Sequence, residues 1–222
     1  MPNMEDDMAR CRTSAGRKYT YADYLTWPEE GRWEIVDGEA FDMTPGPGRL
    51  HQEVSMGLER QIAAFLEGKP CRMFHAPFDV VFLEKGKKAD ASRNVFQPDI
   101  FVTCNPERLT EQAMLGAPDF IIEILSPATA SIDHVRKRRV YEKHGVREFW
   151  LVHPTDRTVL VYRLGANELF EFGGVHACDG LELEVSIFPG LVIDFGRAFP
   201  PTPKVVRETP PPYGSRSGKS RS

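Results

Sequence analysis

Two runs, Gln97-Pro98-Asp99 and Phe120-Ile121-Ile122-Glu123-Ile124-Leu125, each place a single carboxylate in a stretch that otherwise reads as a buried strand. An ionised carboxylate among Ile, Val and Phe is costly unless a cation or a hydrogen-bond network compensates it. Two such acids at neighbouring strand ends make a hard, oxygen-lined site of the kind that Mg²⁺ or Mn²⁺ takes. The order Pro-Asp, then Glu in an apolar strand, is the skeleton of a metal-dependent phosphodiesterase site. Taken singly, Asp99 or Glu123 reads as an exposed acid at a strand edge. The pair carries the sharper expectation.

The chain around them has 222 residues, 41% hydrophobic and 27% charged, enough for one medium-sized domain with a real core. No apolar stretch approaches the ~18–20 residues of a membrane span. Glu5, Asp6 and Asp7 near the start, with no apolar run, argue against a secretory signal. Cys11, Cys71, Cys104 and Cys178 lie far apart with no CxxC pair, so the expectation is reduced thiols in a cytoplasmic protein and no zinc site. Net charge is −4, but from Pro201 onward five basic residues face Glu208 alone, which leaves the body more acidic than the total. An acidic body suits tight non-specific DNA binding poorly, since that binding rests on neutralising phosphates.

Residues 1–17 read as a mobile segment, 18–199 as the domain, and the Pro-, Ser- and Arg-rich residues 200–222 as a disordered tail. A short helix is expected near residues 19–25 with Thr20 as N-cap, then a hairpin over 32–43 turning at Asp37-Gly38. Leu50, Val54, Leu58, Ile62 and Phe65 recur at helical spacing up to Gly68. Strands follow at 73–74, 78–82, 95–104 and 120–125, with a charged loop at 84–94 between the second and third. A helix is expected at about 131–144, a strand at 148–152, and further strand material from 158 to 193. This order indicates a mixed α/β (α+β) domain around one central sheet.

On the helix after Glu123, residues Asp133, Lys137 and Tyr141 share one face. Packed back onto its strand, that helix could aim Lys137 at the two acids, supplying the cation that offsets charge on a phosphate. Against this, Arg136, Lys137, Arg138, Arg139 and Lys143 form a basic run of the sort that usually faces solvent. Asp133 with Lys137 is also an ordinary i,i+4 pair. Glu34, between Trp33 and Ile35, reads either as a solvent-facing strand residue or as a third acid of the site. His51, opening the amphipathic helix, reads first as a capping or packing residue.

In this order, Trp33-Glu34-Ile35-Val36-Asp37-Gly38-Glu39, His51, Gln97-Pro98-Asp99-Ile100, Ile122-Glu123-Ile124-Leu125-Ser126-Pro127, Asp133 with Lys137 and Tyr141, and Gly145-Val146-Arg147-Glu148-Phe149-Trp150 resemble a family. It is the bacterial Uma-two family, assigned to the endonucleases of the PD-(D/E)XK superfamily. The resemblance implies a restriction-endonuclease-like core, a mixed sheet flanked by helices, with Mg²⁺ as the expected metal. Asp99 matches the Pro-Asp carboxylate, Glu123 the second acid and Glu34 the early glutamate, an additional metal-site acid. The superfamily lysine would stand at position 125, which is leucine here; as in related members, a lysine of the following helix replaces it, which points to Lys137. His51, Asp133 and Tyr141 match accessory positions.

Two functions from different classes follow. One is a Mg²⁺-dependent DNA endonuclease with Asp99, Glu123 and Glu34 at the metal and Lys137 positioning water, working as a homodimer on double strands. The other is a catalytically silent nuclease-fold module that binds nucleic acid or a protein partner. Leu125 and the acidic body favour the second; all the acids in their expected order favour the first. No Gly-x-Ser-x-Gly, P-loop or His-Glu-x-x-His run is present to support another hydrolase.

Overall fold

The computed structural model describes residues 17–28, 31–43, 46–125 and 133–200. Residues 1–16 and 201–222, nearly all of the expected mobile start and disordered tail, lie outside the described residues, as does the Ser126-Pro127 break.

Local chemistry accounts for the first elements. Thr20 and Asp23 form a reciprocal capping box that opens the one-turn helix α1 (Tyr21–Tyr24). Strands β1 (Trp33–Val36) and β2 (Glu39–Asp42) pair antiparallel across Asp37 and Gly38, both at positive φ as a type I′ turn requires. Helix α2 (Arg49–Leu66) carries the expected apolar stripe, with Val54, Leu58 and Ile62 fully buried.

The expected single strand over 95–104 is two strands in two sheets. Val95–Phe96 (β5) belongs to a five-stranded sheet and Ile100–Thr103 (β6) to a six-stranded one. Pro98 lacks the N–H that a continuous ladder would need, and the chain changes sheets across Gln97-Pro98-Asp99. The expectation of one central sheet is corrected accordingly.

The five-stranded sheet runs β2-β1-β5-β4-β7, with β4 Asp79–Val81 and β7 Ala113–Leu115. The six-stranded sheet runs β11-β10-β9-β8-β6-β3: Phe170–Ala177, Thr158–Leu164, Glu148–His153, Phe120–Ile124, Ile100–Thr103 and Arg72–His75. Within it only β8 and β9 are parallel, joined by the helical segment that sequence reading expects. That segment begins as a π-helix at Asp133–Lys137 and continues as α3 (Arg138–His144), closed by Gly145 at φ 83. A small hairpin of β12 (Glu182–Glu184) and β13 (Val192–Asp194), then the short helix α4 (Phe195–Ala198), complete the fold.

Strand alternation divides the core into layers. Ile100, Val102, Ile122 and Ile124 face α2, joining Val54, Leu58, Ile62, Trp150 and Phe195. Phe101, Ile121, Phe149 and Leu151 face the other way, against α3 and the five-stranded sheet through Tyr141, Val140, Phe82 and Phe96. Beyond that sheet, Ile35, Val81 and Val95 pack under Tyr19, Tyr21 and Trp27. Burying apolar surface on both faces makes β8 and β9 nearly continuous apolar runs.

One expectation about cysteines is overturned. Cys71 and Cys104 form a disulfide. The β3–β6 register pairs Arg72 with Thr103, which sets the flanking cysteines opposite each other; 33 positions of sequence separation gave no hint of it.

Candidate active site where the two sheets meet

The crossover from β5 to β6 and the ends of β1 and β8 bring four of the expected residues together. Glu34 of β1 is 1% exposed and Lys137 is likewise 1% exposed. The Lys137 ammonium lies 2.9 Å from Glu34 Oε1, 2.8 Å from Glu34 Oε2 and 3.3 Å from Glu123 Oε1. Tyr141, one turn further on, donates its hydroxyl to the same Glu123 oxygen in a short hydrogen bond. Glu34 Oε1 also accepts the Gln97 backbone N–H at 2.8 Å. Lys137 is therefore no part of a solvated basic face. Its neighbours are: Arg136 is exposed and pairs with Glu39, while Arg138 lies over the Tyr162 ring.

Asp99 sits one step beyond the Ile100–Ile122 pair, beside Glu123 at the end of the ladder. Its Oδ2 accepts the Ile124 backbone N–H at 2.7 Å and lies 3.2 Å from His51 Nε2. His51 Nδ1 is buried with no hydrogen-bond partner among the described residues. Glu123 is thus held from α3 and Asp99 from α2, the helices on opposite faces of the six-stranded sheet. Among the described residues no three His, Cys, Asp or Glu side chains gather as a metal cage. The donor chemistry still suits Mg²⁺, which commonly takes one or two carboxylates and completes its octahedron with water and substrate phosphate. The buried Lys137 ammonium between Glu34 and Glu123 is itself a cation in that oxygen-lined space.

Leu125 packs into the apolar layer between the sheets, so no cation comes from the strand. The cation comes instead from the last residue of the π-helical turn that leads into α3, and such turns recur at functional sites. The side chain of Asp133 lies outside the described residues.

A second polar network borders the first and was not foreseen. Tyr24 donates to Asp79 Oδ1 at 2.9 Å, Gln97 Nε2 donates to the same oxygen at 3.0 Å, and Arg32 Nε donates to Gln97 Oε1 at 3.2 Å. Burial pushes the Asp79 carboxyl above its ordinary value, against the opposing effect of those two donors. Burial, then the Asp79 charge, pushes the Tyr24 phenol up as well. The signal was present in the sequence: Asp79 is an acid in the apolar run Phe78-Asp79-Val80-Val81-Phe82, the same kind of anomaly as Glu123.

The profile of the Uma2 family, described as "Putative restriction endonuclease", matches residues 21–195. The chain is 25% identical over 170 residues to "Uncharacterized protein slr1290" of Synechocystis sp., covering 75% of this chain and 85% of that one. Its fold is similar to the crystal structure of "a putative nuclease belonging to DUF820" from Anabaena variabilis, with a TM-score of 0.64 and 24% identity, over 81% of this chain and 97% of the other. With the profile covering both sheets and every element that carries the site, the chain belongs to the Uma2 family.

Proposed function

We propose that this protein is a Mg²⁺-dependent DNA endonuclease of the PD-(D/E)XK type, with Lys137 in place of the strand lysine. The observation that carries the proposal is the Lys137 ammonium buried between Glu34 and Glu123, beside Asp99 at the end of the same ladder. A buried cation shared by two acids from interior strands of two sheets is expensive to maintain for stability alone. Membership of a family described as "Putative restriction endonuclease", and a fold like that of "a putative nuclease", support the same reading.

Asp99 and Glu123 are the residues that would hold the metal, with Glu34 adjoining through Lys137. The chemistry supplied there by bound Mg²⁺ (or Mn²⁺) would be neutralisation of charge on the scissile phosphate and a lowered pKa for an attacking water. Glu34 grips Lys137 through both oxygens and fixes the direction of the ammonium. Lys137 then orients the nucleophile and faces the charge that develops on phosphate, a contribution worth ~10²–10³ in rate for one preorganised donor. Tyr141 keeps Glu123 Oε1 in place, and His51 does the same for Asp99 Oδ2. Cutting both strands calls for two such sites, so a homodimer is part of the proposal. The edge strand β11, with Phe172 and Val175 exposed, offers a surface for it.

The competing reading is a silent module, favoured by how completely Lys137 is neutralised by two glutamates. Supercoiled plasmid incubated with Mg²⁺, Mn²⁺, Ca²⁺ or EDTA separates them. The expected result is nicking or linearisation with Mg²⁺ and Mn²⁺, none with EDTA, and none from Asp99→Asn. Intact plasmid under every condition, with DNA binding preserved, would establish the silent module.

A further inference from the structure

Between the two sheets, Gln97-Pro98-Asp99 has no strand pairing of its own. The ladder of β5 stops at Phe96 after two residues, and that of β6 begins at Ile100. Pro98 has no N–H to give, so the crossover is placed by what Gln97 and Asp99 bind. The Gln97 N–H goes to Glu34 Oε1 at 2.8 Å, and the Asp99 carbonyl accepts the Ala76 N–H at 3.3 Å. The Gln97 side chain adds three more bonds. Its Nε2 donates to Asp79 Oδ1 at 3.0 Å and to the Tyr24 hydroxyl oxygen at 3.3 Å, while its Oε1 accepts from Arg32 Nε at 3.2 Å. These bonds lie on the Tyr24 side of the five-stranded sheet; Lys137, 5.7 Å from the Phe96 ring, lies on the other.

We infer that Gln97 is a positioning residue of the site: clamped through its side chain on one face of the sheet, it fixes the crossover so that its N–H holds Glu34 and Asp99 arrives beside Glu123. The inference rests on the endonuclease reading of those acids. Gln97 acts through its backbone, not by meeting the metal or the DNA. A carboxylate only accepts and a guanidinium only donates, so the amide has one orientation between Asp79 and Arg32. Glutamate in its place would set a second carboxylate against Asp79, and leucine would leave both partners unmatched. Stability alone does not call for this clamp. Asp79 is desolvated at the start of β4, and replacing both members of such a buried pair by apolar groups of like shape is often nearly neutral. What a fully matched polar network adds is rigidity and a single direction.

The test measures Mn²⁺ affinity of the full chain without DNA, from the electron paramagnetic resonance of the free ion, beside melting temperature and plasmid-cleavage kinetics. The binding counted is the part that Asp99→Asn removes. Gln97→Leu should bind Mn²⁺ about 10–100-fold more weakly and lose a like factor in kcat, as when a partner behind a metal ligand is lost, with KM for plasmid unchanged. Gln97→Glu should fall similarly. Adding Asp79→Asn to it restores the pair with its polarity reversed, since the asparagine amide then donates to the glutamate, and should recover most of the loss. A Gln97→Leu protein with wild-type Mn²⁺ affinity and kcat overturns the inference even when its melting temperature falls, because the clamp then serves stability alone. So does a double variant no better than Gln97→Glu, and this comparison decides the matter if Gln97→Leu does not fold. Mn²⁺ affinity that follows the clamp, without plasmid cleavage by any of the proteins, would leave Gln97 its role and remove the chemistry. Cleavage with Mn²⁺ affinity and kcat indifferent to the clamp would do the reverse. A wild type that binds no Mn²⁺ overturns both.

Discussion

Lys137 holds a full charge in a space almost closed to water, and two acids depend on it. Removing it as Lys137→Met leaves Glu34 and Glu123 facing each other without their cation, a change expected to cost about 3–5 kcal/mol of stability. Adding Glu34→Gln should recover part of that stability while cleavage stays ~10²–10³-fold down. Urea melts and plasmid assays on the same preparations check both halves. A Lys137→Met protein as stable as wild type would mean that the ammonium does not compensate the acids. Asp79 gives a prediction of opposite sign. Burial raises its carboxyl, so the folded protein holds that proton more tightly than the unfolded chain. The resulting stabilisation is full below the unfolded range, near ~3.9, and is lost as pH rises through the raised folded value. Wild type should therefore lose stability relative to Asp79→Asn over that interval, as melting temperatures of the two proteins across a pH series would reveal. A pH-independent difference would mean that Asp79 is not the titrating group.

At the scale of elements, α2 and α4 approach so closely that a Cβ on Gly57 would come 2.4 Å from the Ala198 carbonyl oxygen. Alanine is the better helix former by ~1 kcal/mol, but overpacking costs about 1–3 kcal/mol. Gly57→Ala should lower the melting temperature; a higher one would show that α4 yields easily. Elements written in local signals were legible in the sequence: the Asp37-Gly38 turn, the stripe of α2 and the apolar run of β8. Pro98 is visible in the sequence as a strand breaker, yet the change of sheet is not readable, because it depends on which distant strands β5 and β6 find. The site divides the same way. Asp99 and Glu123 stand out as charges in apolar runs and Glu34 fits either solvent or site, whereas the burial of Lys137 is masked by Arg136, Arg138, Arg139 and Lys143 around it. No periodicity reports a π-turn.

Across the whole molecule, the Cys71–Cys104 disulfide ties the edge strand β3 to β6, the strand that Asp99 immediately precedes. Closing a loop of this separation is worth about 2–4 kcal/mol by restricting the unfolded chain. Denaturant midpoints with and without reductant should differ accordingly, and identical midpoints would mean the bridge adds nothing. Each sheet holds one of the site's acids or its partner amide at the crossover: the Gln97 amide is bonded to Glu34 and the Ile124 amide to Asp99. These acids are latched to the backbone, and a divalent ion that recruits their oxygens must compete with peptide N–H groups. Affinity for the free ion should then be modest until substrate phosphate adds its own ligands. The same latches make the protein its own indicator. In a ¹⁵N-labelled sample, the amide proton resonances of Gln97 and Ile124 should move when Mg²⁺ is added, by more than those of Val102 or Trp150 deep in the six-stranded sheet.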